Sequence, residues 1–250
     1  MKTTHKKPYN GFLVSEEFQQ GQYKRSQVEW ALWSLFAQRP ATAPDDIPSV
    51  FRTRIKRLIE LDQNSDERGM PKQLAFVETK VRGQGKDQPY THFNTFCLAL
   101  GLDLLDAGFK QSEIVFVLRH LRPGISDGFK TVLDSPPILR SRLPAEQRPK
   151  SPKYKEGNIE YADTRVFFHF ERVEVQEAFP GFHGKNAPKH PLIMNSKMFR
   201  GLAALTKELD RMNMSYRKAL ILEISETIIR LQELLEKAPA TARGRGAAMT

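Results

Sequence analysis

Between Ser49 and Asp62 the chain reads SVFRTRIKRLIELD, and its cations are spaced as a surface that could read bases. Wound as a helix, this stretch puts Arg52, Thr53, Lys56 and Arg57 on the outward side, with Arg54 at the border. Phe51, Ile55, Leu58, Ile59 and Leu61 gather on the other side at spacings of three and four, the pattern of a docking face. Arginine and lysine donate hydrogen bonds to the O6 and N7 of guanine, and a threonine methyl packs on the thymine methyl. A helix carrying these groups is therefore suited to a DNA major groove. An isolated basic helix is more often a plain solvated surface, so its neighbours must decide between the two.

A second cationic group lies downstream. LAFVETKV alternates as a strand, RGQGKDQP is a glycine-rich basic turn, and Tyr90 follows. A strand, a basic loop and a return make a hairpin-like wing, in which Lys80, Arg82, Gln84, Lys86 and Tyr90 would reach phosphates or the adjacent minor groove.

Other chemistry finds little support. A single cysteine, Cys97, rules out an internal disulfide and a multi-cysteine zinc site, and its apolar helical surroundings suit a buried thiol. His169, His183 and His190 lack the i, i+4 spacing of a helical metal site. The Gly-x-Gly of RGQGK lacks the remaining glycines and the trailing Lys-Ser/Thr pair of a phosphate-binding loop. Asp45 with Asp46, and Asp103 with Asp106, read as a loop pair and a helix surface, and no nucleophile stands beside a base. The expectation is a protein that is not an enzyme, with no metal and no cofactor.

Charge supports the binding reading. Across 250 residues, 39 Lys and Arg oppose 29 Asp and Glu, a formal charge of +10 that favours polyanions, nucleic acid before membrane. No run approaches the roughly 20 apolar residues of a membrane span. The basic N-terminal MKTTHKKPYNGF has no apolar stretch of the secretory kind. A cytoplasmic location is expected, at the bacterial nucleoid if the protein is a regulator.

Taken in order, residues 1–22 form an extension and residues 23–123 a first domain. In the latter, Ser26 and Glu29 make a capping-box pattern ahead of SQVEWALWSLFAQ, whose two tryptophans serve the core. The proline-rich RPATAPDDIP separates this helix from Ser49–Asp62. From Thr91 a leucine-rich helix runs to a stop at Gly108, and another runs from Gln111 or Ser112 to before Pro123. Residues 124–157 read as a basic, proline-rich linker that could lie along phosphates, and 158–237 as an α+β segment. In that segment DTRVFFHFERVEVQEAF is strand-like, with Val166, Phe168 and Phe170 on one face, and a helix spans Met198–Met212. A last helix from about Ser215 to Lys237 carries Ile221, Ile224, Ile228, Leu231 and Leu235 at alternating spacings of three and four, a coiled-coil seam. Residues 238–250 read as a disordered tail.

The run PYTHFNTFCLALGLDLLDAGFKQSEIVFVLRHLR resembles the second half of a MerR-type winged helix-turn-helix domain. Tyr90, Leu98, Leu102, Leu105, Gly108, Phe109, Glu113, Ile114 and Leu118 stand in matching places. The resemblance covers about residues 23–122 and is clearest over 90–122. In the first half, VFRTRIKRL and a longer proline loop replace the family's alanine-glycine-valine turn and arginine-tyrosine-tyrosine stretch. The resemblance implies a DNA-binding domain with a recognition helix and a wing.

These readings combine into a mainly α chain with a minor β part, a winged helix-turn-helix followed by a strand-plus-helices dimerisation segment. Its expected function is sequence-specific binding of double-stranded DNA, as a transcription regulator acting as a homodimer. The alternative is a protein-interaction adaptor whose basic face binds an acidic partner without DNA specificity.

Overall fold

The computed structural model describes residues 22–38, 46–65, 71–80, 88–137, 165–173, 192–211 and 219–239. Within them lie α1 (Arg25–Phe36), α2 (Ser49–Asn64), α3 (His92–Asp106), α4 (Gln111–Asp134), β1 (Val166–Val173), β2 (Leu192–Arg200), α5 (Leu202–Leu209), β3 (Ala219–Glu223) and α6 (Ser225–Lys237). The fold is mainly α with one antiparallel three-stranded sheet in the order β2-β1-β3. No helix among the described residues is long and apolar enough to cross a membrane.

Helix α1 opens one residue ahead of the expected cap: the Gln27 side chain accepts the Lys24 N–H at 3.0 Å, and Glu29 instead pairs with Arg25 at 2.8 Å. Its aromatic load packs on α2, with Trp33 edge-on to Phe51 at 5.2 Å. Thr91 caps α3 by accepting the Asn94 N–H, and eleven of the fifteen residues of α3 are buried. Gly108 closes that helix at φ +86°, where a side chain would strain the backbone. The N–H groups of Gly108 and Phe109 reach back to the carbonyls of Leu105 and Leu104, both at 3.0 Å, and α4 starts within three residues.

Helix α4 does not stop before Pro123; it runs through the proline to Asp134, so residues 124–134 are helix and not linker. An internal proline costs about 3 kcal/mol or more. Ile125, Phe129, Val132 and Leu133 beyond it are all buried, at roughly 1.5–3 kcal/mol each, which outweighs that cost. Gly128 lies on this extension, and a Cβ there would come 3.0 Å from the Met198 side chain, so glycine lets β2 approach the helix closely.

The second half corrects three further expectations. Met198 is on strand β2, and only Leu202–Leu209 of the stretch Met198–Met212 is helical among the described residues. The final helix starts at Ser225, because Ala219–Glu223 forms β3 and pairs with Phe167–Glu171. The dimer seam is not one: Ile221 lies on β3, Ile224 caps α6, and Ile224, Ile228, Leu231 and Leu235 are buried in this chain's own core. That core runs from Val28 to Ala238 and takes in Val166, Phe168 and Phe170 from one face of β1, as the alternation predicts. Helix α6 lies against α1 and α3. Gln27 Nε2 donates to the Ala238 carbonyl at 3.4 Å, and His92 Nε2 lies 3.1 Å from the Ile228 carbonyl.

No strand forms over residues 71–80, so the expected strand from Leu74 is absent from its described part. Ala75, Phe76 and Val77 are nevertheless buried, and the segment is held by ionic groups instead of a ladder.

Candidate nucleic-acid interface

Helix α2 docks through Ile55, Leu58, Ile59 and Asp62 and turns its cations outward, but not all equally. Arg54, placed at the border by the sequence, is 52% exposed in its side chain, whereas Arg52 is 39% exposed and has its Nε 3.8 Å from Glu29 on α1. Lys56 is exposed and sits 3.6 Å from Glu60 one turn on. Arg57 and Thr53 are exposed, and the Thr53 hydroxyl donates to the Ser49 carbonyl at 2.8 Å, leaving its lone pairs to accept. The outward face therefore has two flanks, one with Arg52 and Lys56, the other with Thr53, Arg54 and Arg57.

The second flank borders a groove of about 440 Å³, lined by Ser49, Val50, Thr53, Arg54 and Arg57 of α2 and by Leu105, Asp106 and Gln111. The far wall is the tight α3–α4 turn, which Gly108 allows to bring the end of one helix and the start of the next against α2. Asp106 Oδ1 lies 3.7 Å from an Arg54 guanidinium nitrogen, with both side chains largely exposed. Val50, on the first turn of α2, is 65% exposed. Lys110 stands at the same turn, its ammonium 3.8 Å from the Glu113 carboxylate. The groove thus offers donors, an acceptor and an apolar rim within two helical turns.

Burial, with Asp106 nearby, pushes the Asp103 carboxyl up to about 6. Elsewhere in α3, burial pushes the Cys97 thiol up to about 12, which makes it an inert core group.

The wing residues fare differently from one another. Lys80 is exposed and donates to the Gln63 carbonyl at 3.2 Å and to Asn64 Oδ1 at 3.3 Å, so it caps the end of α2. Arg82, Gln84 and Lys86 lie outside the described residues. Tyr90 is a correction: it is 1% exposed and bridges Tyr23 through backbone bonds of 2.8 and 3.0 Å, so it belongs to the core and cannot touch a ligand.

What positions the segment after α2 is a buried network. Asp62 accepts the Arg119 Nε at 2.7 Å, the Ala75 N–H at 2.9 Å and the Phe76 N–H at 3.1 Å. Arg119 also donates to the Asp62 and Pro71 carbonyls. Arg122 donates to the Ala75 carbonyl, to Glu78 at 2.5 Å and to Asn94 Oδ1 at 3.0 Å, and lies over the Phe93 ring. Asp62, Arg119 and Arg122 are buried, bond-satisfied and absent from the groove lining, so their role is to hold the chain.

Reasoning from the sequence thus located α2 but missed Val50, Asp106, Lys110 and Gln111. The tight turn at Gly108 was the legible clue to the second wall; which face of α2 it meets depends on packing. Comparison with protein-family models and with curated protein sequences finds no match to this chain.

Proposed function

We propose that this protein binds double-stranded DNA sequence-specifically, as a transcription regulator, with α2 as the recognition helix. The observation that carries the reading is the mixed lining of the groove along α2. A track for phosphates needs only cations, whereas base edges present acceptors, donors and methyl groups side by side. Arg54 and Arg57 match guanine, Gln111 matches adenine, and the Asp106 carboxylate accepts from the amino group of cytosine. Lys110, at the turn, is placed for a phosphate. The formal charge of +10 supplies the non-specific attraction that brings such a protein to DNA. The resemblance of residues 90–122 to MerR-type domains points the same way.

The test is selection of binding sites from a random duplex pool, with affinity then measured at two salt concentrations. The reading expects an enriched site and a steep fall of affinity with salt. Arg54→Ala or Arg57→Ala should cost about 1–3 kcal/mol on that site and far less on random duplex, while Lys110→Ala should weaken both alike. Absence of binding at low salt would overturn the reading and leave an acidic protein as the partner of this face.

A further inference from the structure

The most exposed large apolar side chain among the described residues is Val50, and it stands on the first turn of α2 at the rim of the groove. Exposed valines are ordinary on protein surfaces, but this one has an unusual setting. It is flanked by Thr53, Arg54 and Arg57, so the surface around it attracts polyanions, and apolar residues have no part in contacting phosphate. A recognition helix meets base edges with its N-terminal residues, and Val50 is the second residue of α2. The one apolar group on the major-groove edge of DNA is the C5-methyl of thymine.

We infer, building on the DNA-binding reading above, that Val50 is a specificity-determining residue that packs on a thymine methyl. Two consequences follow from that chemistry. The preferred site contains thymine at a position next to the bases read by Arg54 or Arg57. The contact also separates DNA from RNA, since uracil lacks the methyl and the deep, narrow major groove of an A-form duplex does not admit a helix.

The experiment uses the full chain and a short duplex selected by it from a random pool. The duplex is synthesised once with thymine and once with deoxyuridine throughout, a change that removes only the methyl groups. Wild-type protein should lose about fourfold in affinity per contacted thymine, the factor equivalent to about 0.8 kcal/mol for one buried methyl-sized group. Val50→Ser, whose exposed position spares the fold, should bind the two duplexes alike, at the wild-type affinity for the deoxyuridine form. Equal affinity of the wild type for both duplexes would overturn the inference and leave DNA binding standing. A deoxyuridine loss that persists undiminished in Val50→Ser would also overturn it, by placing the methyl contact elsewhere. Failure to bind either duplex at low salt would overturn DNA binding itself.

Discussion

Asp62 and Arg119, 57 residues apart in sequence, meet at 2.7 Å in the core, with side-chain exposures of 0% and 4%. The aspartate is the last buried residue of α2, and Arg119 lies in α4, so this pair couples the presenting helix to the longest helix among the described residues. The same carboxylate holds the Ala75 and Phe76 N–H groups, which brings residues 71–80 under the end of α2.

Removing one partner should therefore be costly. Arg119→Met leaves the Asp62 carboxylate buried without its cation, and a loss of about 3–5 kcal/mol in unfolding free energy is expected. Denaturant titration of Arg119→Met and of Asp62→Asn checks this. A loss under about 1 kcal/mol in both would mean that the pair is dispensable.

A second expectation concerns α6. Ile228 and Leu231 are fully buried against this chain's own helices. Ile228→Ala should lower stability by about 2–5 kcal/mol through the cavity it leaves. Sedimentation should show the same oligomeric state as the wild type. A change of assembly at unchanged stability would restore α6 as an intermolecular seam.

The His92 ring is buried between α6 and Phe129, whose ring lies 4.9 Å away, and burial pushes its pKa down from 6.5 to about 4. The Ile228 carbonyl can only accept, so the neutral ring donates through Nε2. Between pH 6.5 and about 4 the unfolded chain binds the proton that the folded one refuses. Stability is thus fully present above pH 6.5 and falls as the pH drops through this window, by up to about 3 kcal/mol. His92→Gln, which keeps a donor toward Ile228, should flatten that slope in unfolding measurements at pH 7.5 and 4.5.

Asp103 has the opposite sign. Its carboxyl is raised from 3.8 to about 6, so the folded chain holds a proton that the unfolded one releases. The stability linked to it is full below pH 3.8 and is lost as the pH rises through about 6. At pH 7.5 the charged carboxylate opposes the fold, and Asp103→Asn should raise stability on the order of 1 kcal/mol. Equal stability of variant and wild type across pH 4–8 would contradict the assignment.

Much of the architecture was readable locally. Apolar residues three and four apart marked α1, α2 and α3. Thr91 and Gly108 marked the ends of α3, and the alternation of Val166, Phe168 and Phe170 marked β1. Where local signals misled, the reason was tertiary. Pro123 reads as a stop, but the burial of Ile125 and Phe129 carries α4 past it. Leu74–Val77 reads as a strand, but Asp62 and Arg122 satisfy backbone groups of Ala75 and Phe76 that a neighbouring strand would have paired. The spacing from Ile221 to Leu235 reads as one helix, but over its first residues β1 supplied a free edge and turned Ala219–Glu223 into β3.

By itself, the sequence determined that an apolar-backed helix would carry Arg52, Thr53, Arg54, Lys56 and Arg57 on its polar side, because helical periodicity is a local property. It equally determined a net positive charge, a lone cysteine and a tight turn at Gly108. Only the tertiary structure decided which cations face outward. Glu29 comes from α1 to draw Arg52 in, while the α3–α4 turn sets Asp106 and Gln111 across a groove from Arg54, Arg57 and Val50. Those meetings join residues far apart in the chain, and their geometry is set by how the apolar faces of the helices share one core.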